Sequence, residues 1–252
     1  HIAGGVVTEG AIDDKMRHAV TKLSHLHFPV DEAGAANLRA MGEEEWRITV
    51  SGSMAMDLLK SEATYSQEEL EKLLGIDFSQ GVILFVYHPV TLEYQDTERQ
   101  IANALEAVLS FNMQVVALYP NQDTSRMVIA EALEKAAAED SYLKLIDHLK
   151  RGVYASLLKH CKVMAGNSSS GLLEAPTFQT PVVNIGNRQK GRGRTSNVIS
   201  CGYEIEEIKK AMEKALYDQD FALQLTTVKI RFGNGAAADA IYNTILKLDY
   251  NN

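Results

Sequence analysis

The amino-acid sequence predicts an α/β fold in which a doubly wound parallel sheet is covered by helices on both faces. Two observations carry this prediction. Short apolar runs alternate along the chain with segments whose apolar residues recur at helical spacing. These short runs are apolar almost throughout, which is typical of parallel strands that are buried on both sides. In sheets of this kind, ligands bind beyond the carboxyl ends of the strands.

The alternating pattern occupies the middle of the chain. The predicted strands are Val82–Val90, Gln114–Pro120, Leu143–Asp147, Lys162–Gly166 and Pro181–Gly186. The predicted helices between them are Thr97–Phe111, Ser125–Ala138, Val153–His160 and Gly171–Phe178. The first of these helices has Ile101, Leu105 and Leu109 on one face, and Ser125 is the expected N-cap of the second.

The first part of the chain follows a different pattern. It contains a predicted helix at Asp13–Ser24, a strand-like run ending at Val30, and a second helix at Asp31–Met41. Because this α-β-α fragment has no sheet of its own to join, we expect it to be the tail of a truncated N-terminal domain. The predicted boundaries are residues 1–41 for this remnant, 42–60 for a connection, 61–235 for the main domain and 236–252 for a C-terminal helix.

Composition narrows the possible functions. Of the 252 residues, 46% are hydrophobic and 23% are charged. A chain of this length and composition is able to bury one large core or two modest ones. A net charge of −8 gives no general attraction to nucleic acid or to an anionic membrane. The two cysteines, Cys161 and Cys201, are too few for a disulfide framework. With no apolar run of membrane-spanning length and no signal-peptide pattern, we predict a cytoplasmic protein that binds neither nucleic acid nor membranes.

A polar cluster follows the strand Lys162–Gly166, in the stretch "GNSSSGLLE". A strand, then Asn167, Ser168 and Ser169, then a helix would gather free backbone N–H groups and hydroxyls at one point, as in an anion site. Glu174 lies one turn into this helix, where its carboxylate would accept hydrogen bonds from sugar hydroxyls. A serine-rich helix cap, with a carboxylate complementing the helix dipole, produces the same pattern.

Polar side chains also follow the neighbouring strands. His88 follows the first strand, Asn121 the second and Arg188 the last, while Arg192 lies in the same loop as Arg188. Such a loop is able to close over a phosphate, although surface arginines are commonly only solvated and a lone histidine is commonly structural. The loop lacks the Lys-Ser/Thr of a P-loop, and no Gly-x-Gly-x-x-Gly follows a strand, so no nicotinamide cofactor is predicted.

A charged face lies on the first predicted helix. Its members fall at helical spacings and are Asp13, Asp14, Arg17, His18 and Lys22. Cations beside carboxylates suit acid–base chemistry on a sugar, and they suit a solvated, ion-paired surface equally well. On the opposite face, Ile12, Met16 and Leu23 would lack a covering sheet, so we expect a homo-oligomer, either a dimer or a tetramer.

Taken in order, these motifs resemble the UDP-N-acetylglucosamine 2-epimerases, above all the hydrolysing branch that supplies N-acetylmannosamine for sialic acid synthesis. The motifs that carry the resemblance are "HIAGG", "TEGAIDDKMRHAVTKLSHLHF", "HPVT", "YPN", "GNSSSGLLEAP", "PVVNIGNRQKGR" and "FGNG". The resemblance implies a GT-B-like fold, here a doubly wound C-terminal Rossmann-like domain plus the tail of an N-terminal one. It also implies an active site in the cleft between two such domains.

The resemblance further implies the ligand and the reaction. UDP-N-acetylglucosamine or UDP is the expected partner, and the expected UDP-binding residues are His88, Asn121, Asn167, Ser168, Ser169, Glu174, Arg188 and Arg192. The expected catalytic residues are Asp13, Asp14, Arg17, His18 and Lys22. In the implied reaction a base removes the sugar C2 proton, UDP leaves to give an unsaturated 2-acetamidoglucal, and water adds to release N-acetylmannosamine. No metal or other cofactor is expected, because carboxylates, cations and positioning carry the chemistry.

The sequence departs from the family pattern in two respects. Family members carry further chain before the "HI.GG" motif, and they usually have a carboxylate at the position of Ala3 or Val6, where this sequence has apolar residues. With both residues apolar, we expect turnover about a hundred- to ten-thousand-fold below that of the relatives, since one acid–base group is missing. Two other interpretations stay open: a UDP-binding homologue without catalytic activity, and a GT-B glycosyltransferase, which the absence of a second sugar-binding motif disfavours.

Overall fold

The computed structural model describes residues 1–7, 13–123, 125–228, 233 and 235–248, apart from four side chains, those of Asp13, Asp14, Thr91 and Leu92. The chain divides into two compact units. One comprises His1–Lys60 with Ile230–Asn252, and the other comprises Ser61–Lys229. The predicted connection over residues 42–60 and the predicted C-terminal helix therefore group with the first unit instead of forming segments of their own.

The helices and strands are as follows in chain order. The α-helices are α1 Asp13–Leu23, α2 Glu32–Ala40, α3 Met54–Asp57, α4 Leu59–Glu62, α5 Gln67–Leu74, α6 Thr97–Leu109, α7 Arg126–Glu139, α8 Arg151–His160, α9 Ser170–Leu173, α10 Ile205–Tyr217, α11 Gln219–Leu225 and α12 Ala237–Leu246. The strands are β1 Val82–Val86, β2 Gln114–Leu118, β3 Leu143–Ile146, β4 Val163–Gly166, β5 Val182–Ile185 and β6 Val198–Cys201. Short 3₁₀ segments lie at Glu45–Arg47, Thr91–Asp96 and Ala175–Phe178.

Within the described residues, the second unit contains one six-stranded sheet in the order β3-β2-β1-β4-β5-β6. Every neighbouring pair of strands is parallel. The chain winds outward in both directions from β1 and β4, so the carboxyl ends of these two strands mark the point where the topology reverses. The predicted doubly wound α/β fold is confirmed, and its ligand-binding crevice is expected at this point.

Apolar side chains cover both faces of the sheet. Ile83 and Phe85 of β1 belong to the cluster that includes Ile101 of α6 and Ile208 of α10. The alternate β1 residues Val82, Leu84 and Val86 belong to a second cluster, together with Leu70 of α5 and Leu157 of α8. Because successive side chains of a strand point to opposite faces, an almost continuous apolar run fills two cores at once.

Several predicted boundaries were wrong. The predicted helix Gly171–Phe178 is one α-helical turn, Ser170–Leu173, followed by the 3₁₀ turn Ala175–Phe178. Pro176 at the start of the 3₁₀ turn has no N–H to donate to a carbonyl of the preceding turn, so the α-helix cannot continue. Ser125 precedes α7 with a positive φ of 69° and its side chain makes no capping hydrogen bond. The first strand ends at Val86 instead of Val90.

Among the described residues of the first unit, strand pairing is limited to isolated bridges. The predicted strand-like run makes two isolated parallel bridges, Ile2 with Phe28 and His27 with Ile48. The Asp57 carboxylate accepts hydrogen bonds from Ala237 N at 2.9 Å and Ala238 N at 2.7 Å, so it caps α12 from a distant part of the chain. None of the described helices is long and apolar enough to cross a membrane.

The predicted apolar face of α1 is exposed where it is described. Met16 is 66% exposed and Leu23 is 87% exposed, while Ile12 lies outside the described residues. The expected homo-oligomer stays a prediction.

Candidate functional site

The buried side chain of Asn167 joins the loops that follow β1 and β4. Asn167 has no exposed surface, and its Oδ1 accepts a hydrogen bond from His88 N at 2.7 Å. Its Nδ2 donates to His88 O at 2.8 Å, and its backbone N–H donates to Val86 O at 3.1 Å. Asn167 therefore continues the pairing of the two strands beyond their ends and fixes the backbone of His88 at the carboxyl edge of the sheet.

The loop that follows β5 meets the same residue. Gln189 Nε2 donates to Asn167 O at 2.7 Å, and Arg188 Nη1 donates to the same oxygen at 3.3 Å. Three of the predicted site residues, His88, Asn167 and Arg188, are thus brought together. Gln189 is only 1% exposed and was not predicted, because a glutamine in a glycine-containing loop gives no sign in the sequence that it is buried.

His88 is held as a neutral hydrogen-bond donor. Its Nδ1 accepts from Asn121 N at 3.2 Å, which in the neutral ring leaves the proton on Nε2. Burial lowers the pKa of His88 to about 4; the charge of Arg188 also lowers it, and that of Asp123 opposes the shift. At neutral pH, His88 can therefore donate a hydrogen bond to an anion from Nε2 without carrying charge.

Asp123, which no sequence motif indicated, lies beside two of the predicted site residues. Its carboxylate accepts from Asn121 Nδ2 at 2.6 Å and lies 3.8 Å from Arg188 Nη2. The Asn121 side chain is therefore engaged with Asp123, while its backbone N–H contacts His88. Arg192 lies further along the same loop as Arg188, and its backbone N–H donates to Gln189 O at 3.3 Å.

The serine segment offers donors of its own. Among the described residues, the backbone N–H groups of Ser168 and Ser169 find no protein acceptor. Ser170 N donates to Ser168 Oγ at 3.3 Å, and Ser168 is only 9% exposed. The expected contribution of a helix dipole is small here, because α9 comprises only four residues. Any bound anion would interact mainly with these N–H groups and hydroxyls.

Glu174 is oriented by its neighbours. Ser170 Oγ donates to Glu174 Oε2 at 2.6 Å. Tyr154, which the sequence did not single out, is buried beside this pair; burial raises the pKa of its phenol, the nearby charge of Glu174 adds to that shift, and Ser170 opposes it. The carboxylate of Glu174 is therefore fixed at the end of α9, with acceptor capacity left for a ligand hydroxyl.

The proposed catalytic cations lie on α1 in the first unit. Arg17 Nη1 donates to Val6 O at 2.9 Å, and His18 is half-buried on the same helix. Lys22 donates to Glu43 at 2.7 Å and to Met41 O. The side chains of Asp13 and Asp14 lie outside the described part of the structure.

Glu43, the partner of the half-exposed Lys22, also contacts a buried histidine. Glu43 Oε2 lies 3.0 Å from Nε2 of the fully buried His27. The hydrogen bond from Lys22 lowers the pKa of the Glu43 carboxyl; burial opposes this, and His27 lowers it further. Lys22 therefore contributes to the structure of the first unit through its ion pair with Glu43.

The neutral state of His88 leads to a testable expectation. A nuclear magnetic resonance titration should show its imidazole neutral from pH 7 down to about pH 5, with protonation near pH 4. Because an unfolded histidine titrates near pH 6.5, the free energy of unfolding should decrease as the pH falls from about 6.5 towards 4. Arg188→Gln should raise the pKa of His88, since it removes a neighbouring positive charge. A wild-type pKa near 6.5 would contradict the description of this site.

Comparisons with known proteins give a consistent result. A family model described as UDP-N-acetylglucosamine 2-epimerase matches residues 1–246. A GDP/UDP-N,N'-diacetylbacillosamine 2-epimerase (hydrolyzing) from Campylobacter jejuni is 40% identical over 216 residues, 85% of this chain. A UDP-N,N'-diacetylbacillosamine 2-epimerase (hydrolyzing) from Legionella pneumophila is 35% identical over 216 residues, 86% of this chain. The chain spans 56% and 57% of the lengths of these two relatives.

A solved structure shows the same fold. The UDP-GlcNAc 2-epimerase from Neisseria meningitidis, bound to UDP-GlcNAc, superimposes with a TM-score of 0.83 at 16% sequence identity. The match covers 98% of this chain and 69% of that one. The GT-B-like fold expected from the sequence is confirmed.

Proposed function

Because this chain belongs to the UDP-N-acetylglucosamine 2-epimerase family, we propose that it binds UDP at the carboxyl edge of the sheet and serves a hydrolysing 2-epimerase reaction. The substrate is a UDP-linked 2-acetamido sugar. The products are UDP and a free sugar whose configuration at C2 is inverted.

One observation carries this proposal: Asn167 gathers donors from three loops at one point. His88 supplies a neutral Nε2–H, Arg188 supplies a guanidinium, and the serine segment supplies two backbone N–H groups. A diphosphate needs several convergent donors, and charge-assisted hydrogen bonds from arginine and backbone N–H groups are the strong ones. The net charge of −8 makes such a local site necessary, because the protein as a whole repels an anion.

Glu174 completes the nucleotide site in this proposal. A ribose presents two neighbouring hydroxyl donors, and a carboxylate accepts from both. Since Ser170 already holds one carboxylate oxygen at 2.6 Å, the side chain is preorganised for such a contact. Asn121 and Arg192 are proposed as further contacts to the nucleotide and its phosphates.

The proposed chemistry uses the bound phosphates as a leaving group. A base removes the C2 proton and the C1–O bond breaks, so the electron pair of the C–H bond forms the C1–C2 double bond of an unsaturated sugar. Donors such as Arg188 and His88 stabilise the charge that develops on departing UDP. Water then adds across the double bond, with its oxygen at C1 and a proton at C2. We assign acid–base roles to Asp13, Asp14, Arg17 and His18. We assign the same role to Lys22, which also forms an ion pair with Glu43.

Two sugar nucleotides are candidate substrates for the proposed reaction. The sequence resemblance favours UDP-N-acetylglucosamine, with N-acetylmannosamine as the product for sialic acid synthesis. The names of the two relatives at 40% and 35% identity favour the diacetylated sugar nucleotide instead. Parallel incubations with both sugar nucleotides, followed by chromatography of UDP and of the free sugar, separate these cases. A glycosyltransferase would release UDP only when an acceptor is added, and a non-catalytic homologue would bind UDP without releasing a sugar.

Glu174→Ala should weaken UDP binding about tenfold or more, because it removes hydrogen bonds between a charged acceptor and the ribose. Inorganic pyrophosphate binding should change by less than about twofold, since the diphosphate donors remain. Calorimetric titration with each ligand measures both effects. Glu139→Ala at the end of α7 is the control, and it should alter neither affinity. Equal losses for UDP and pyrophosphate in Glu174→Ala would show that Glu174 supports the fold of the site and does not contact ribose.

A further inference from the structure

Glu93 connects its own segment to three other parts of the second unit. It lies in the 3₁₀ segment Thr91–Asp96, five residues after His88. Its Oε2 accepts from Tyr203 Oη at 2.5 Å and from Gln100 Nε2 at 2.9 Å. Its Oε1 accepts from Asn187 Nδ2 at 3.2 Å. One carboxylate therefore links the segment after β1, the helix α6, the loop after β5 and the segment between β6 and α10.

Tyr203 holds the start of the loop that carries Arg188. The backbone N–H of Asn187 donates to Tyr203 Oη at 3.0 Å. Gly186, directly before Asn187, has a φ of 75°, and a Cβ atom placed there would lie 2.0 Å from the Tyr203 ring. Only a glycine permits this close approach of ring and backbone. The end of β5 is therefore fixed against the tyrosine.

The same loop is fixed again immediately beyond Arg188. Gln189 donates to Asn167 O at 2.7 Å, so residues on both sides of Arg188 are anchored, one to Tyr203 and the other to Asn167. The backbone around Tyr203 is itself held, because Asn103 Nδ2 donates to Tyr203 O at 3.0 Å. Arg188 thus projects from a short loop with two fixed ends.

We propose that Glu93 and Tyr203 are positioning residues that hold the loop at residues 187–189 so that Arg188 meets the diphosphate. This proposal rests on the proposed UDP site and adds residues that touch neither the nucleotide nor the reacting atoms. An arginine whose backbone is fixed before binding loses less conformational freedom when the ligand arrives. The benefit is specific to the phosphates, because Arg188 is not assigned to the nucleoside.

The charge of Glu93 agrees with this role. Burial raises the pKa of its carboxyl, but the hydrogen bonds from Tyr203, Asn187 and Gln100 outweigh burial and hold the pKa below its usual value. At neutral pH the ionised carboxylate accepts all three hydrogen bonds at once.

Calorimetric titrations with UDP and with uridine test the positioning role. Tyr203→Phe removes the hydrogen bond to Glu93 and the acceptor for Asn187 N. Asn187→Ala removes the hydrogen bond from the exposed Asn187 side chain to Glu93, with little risk to folding. Tyr142→Phe is the matched control, because its hydroxyl has no hydrogen-bond partner among the described residues. Each of the two network variants should bind UDP about five- to tenfold more weakly, with uridine affinity unchanged within about twofold. The double variant should lose no more than Tyr203→Phe alone, since both act on one loop.

The outcomes separate this inference from the proposed function. Unchanged UDP affinity in both variants, or equal losses for UDP and uridine, would overturn the positioning role and leave the UDP site intact. Failure of the wild-type chain to bind UDP would overturn the proposed function and the positioning role together. A selective loss for UDP, with the control unchanged, supports the assignment.

Discussion

Asn167→Ala should weaken UDP binding by about a hundredfold, which corresponds to about 2.7 kcal/mol. The substitution removes both side-chain hydrogen bonds to His88, at 2.7 and 2.8 Å, and leaves two backbone groups of His88 without these partners. Each buried polar group left unsatisfied costs about 1–3 kcal/mol. The loops that carry His88 and Arg188 then no longer meet at a fixed point, so their donors must be ordered when UDP binds.

Asn197→Ala is the matched control for this prediction. Asn197 is equally buried and makes a comparable pair of contacts, since its Nδ2 donates to Thr180 O at 2.8 Å and its Oδ1 accepts from Thr195 Oγ1 at 2.5 Å. It precedes β6 and therefore lies at the amino edge of the parallel sheet. Urea unfolding should show a loss of stability in both variants, and calorimetry should show a loss of UDP affinity only in Asn167→Ala. Equal affinity losses would place the nucleotide elsewhere.

Gly166→Ala should cause the largest loss in the free energy of unfolding, roughly 3–5 kcal/mol. If the variant does not fold, it should not bind UDP. Gly166 is the last residue of β4, with a φ of 129°, and a Cβ atom there would lie 2.1 Å from Val86 O. That oxygen belongs to the backbone of β1, so it cannot turn away as the end of a flexible side chain would. Accommodating the methyl group requires β1 and β4 to separate where the site is built.

Gly75→Ala distinguishes this steric effect from the general cost of a positive φ. Gly75 ends α5 with a φ of 64°, but the nearest atom to an added Cβ is Lys144 Nζ at 3.7 Å. Its substitution should cost only about 1 kcal/mol of unfolding free energy, because it imposes backbone strain without a clash. Urea unfolding of both variants measures the difference. Similar losses of unfolding free energy in the two variants would contradict the close pairing of β1 with β4.

Most of the sheet was predictable because its strands are short apolar runs. The strand β6 was missed: residues Val198–Cys201 form an edge strand whose Ser200 is exposed, so the segment lacks the apolar run that marks the others. The helix α10 was also missed, although the spacing of Ile208, Met212 and Ala215 gives it a buried face that the sequence does signal.

The site was predictable only where its residues directly follow strands. His88, Asn167 and Arg188 were found because the ends of parallel strands share one edge. Their partners were not found, because hydrogen bonds such as that between Glu93 and Tyr203 join residues 110 positions apart in the chain. Hydrophobic periodicity carries no information on pairs of this kind. Asp123 lies in a loop, outside any helix or strand, so the sequence pattern does not indicate that it is close to Arg188.

The central claim is that UDP binds at the carboxyl edge of the sheet. Its most direct test is a UDP titration of the chain followed through the backbone amide signals by nuclear magnetic resonance. We expect large shifts for the amides of Ser168, Ser169, Glu174 and Arg188, and unchanged signals for Thr180 and Asn197 at the amino edge. Shifts confined to the amino edge, or no shifts at saturating UDP, would contradict it.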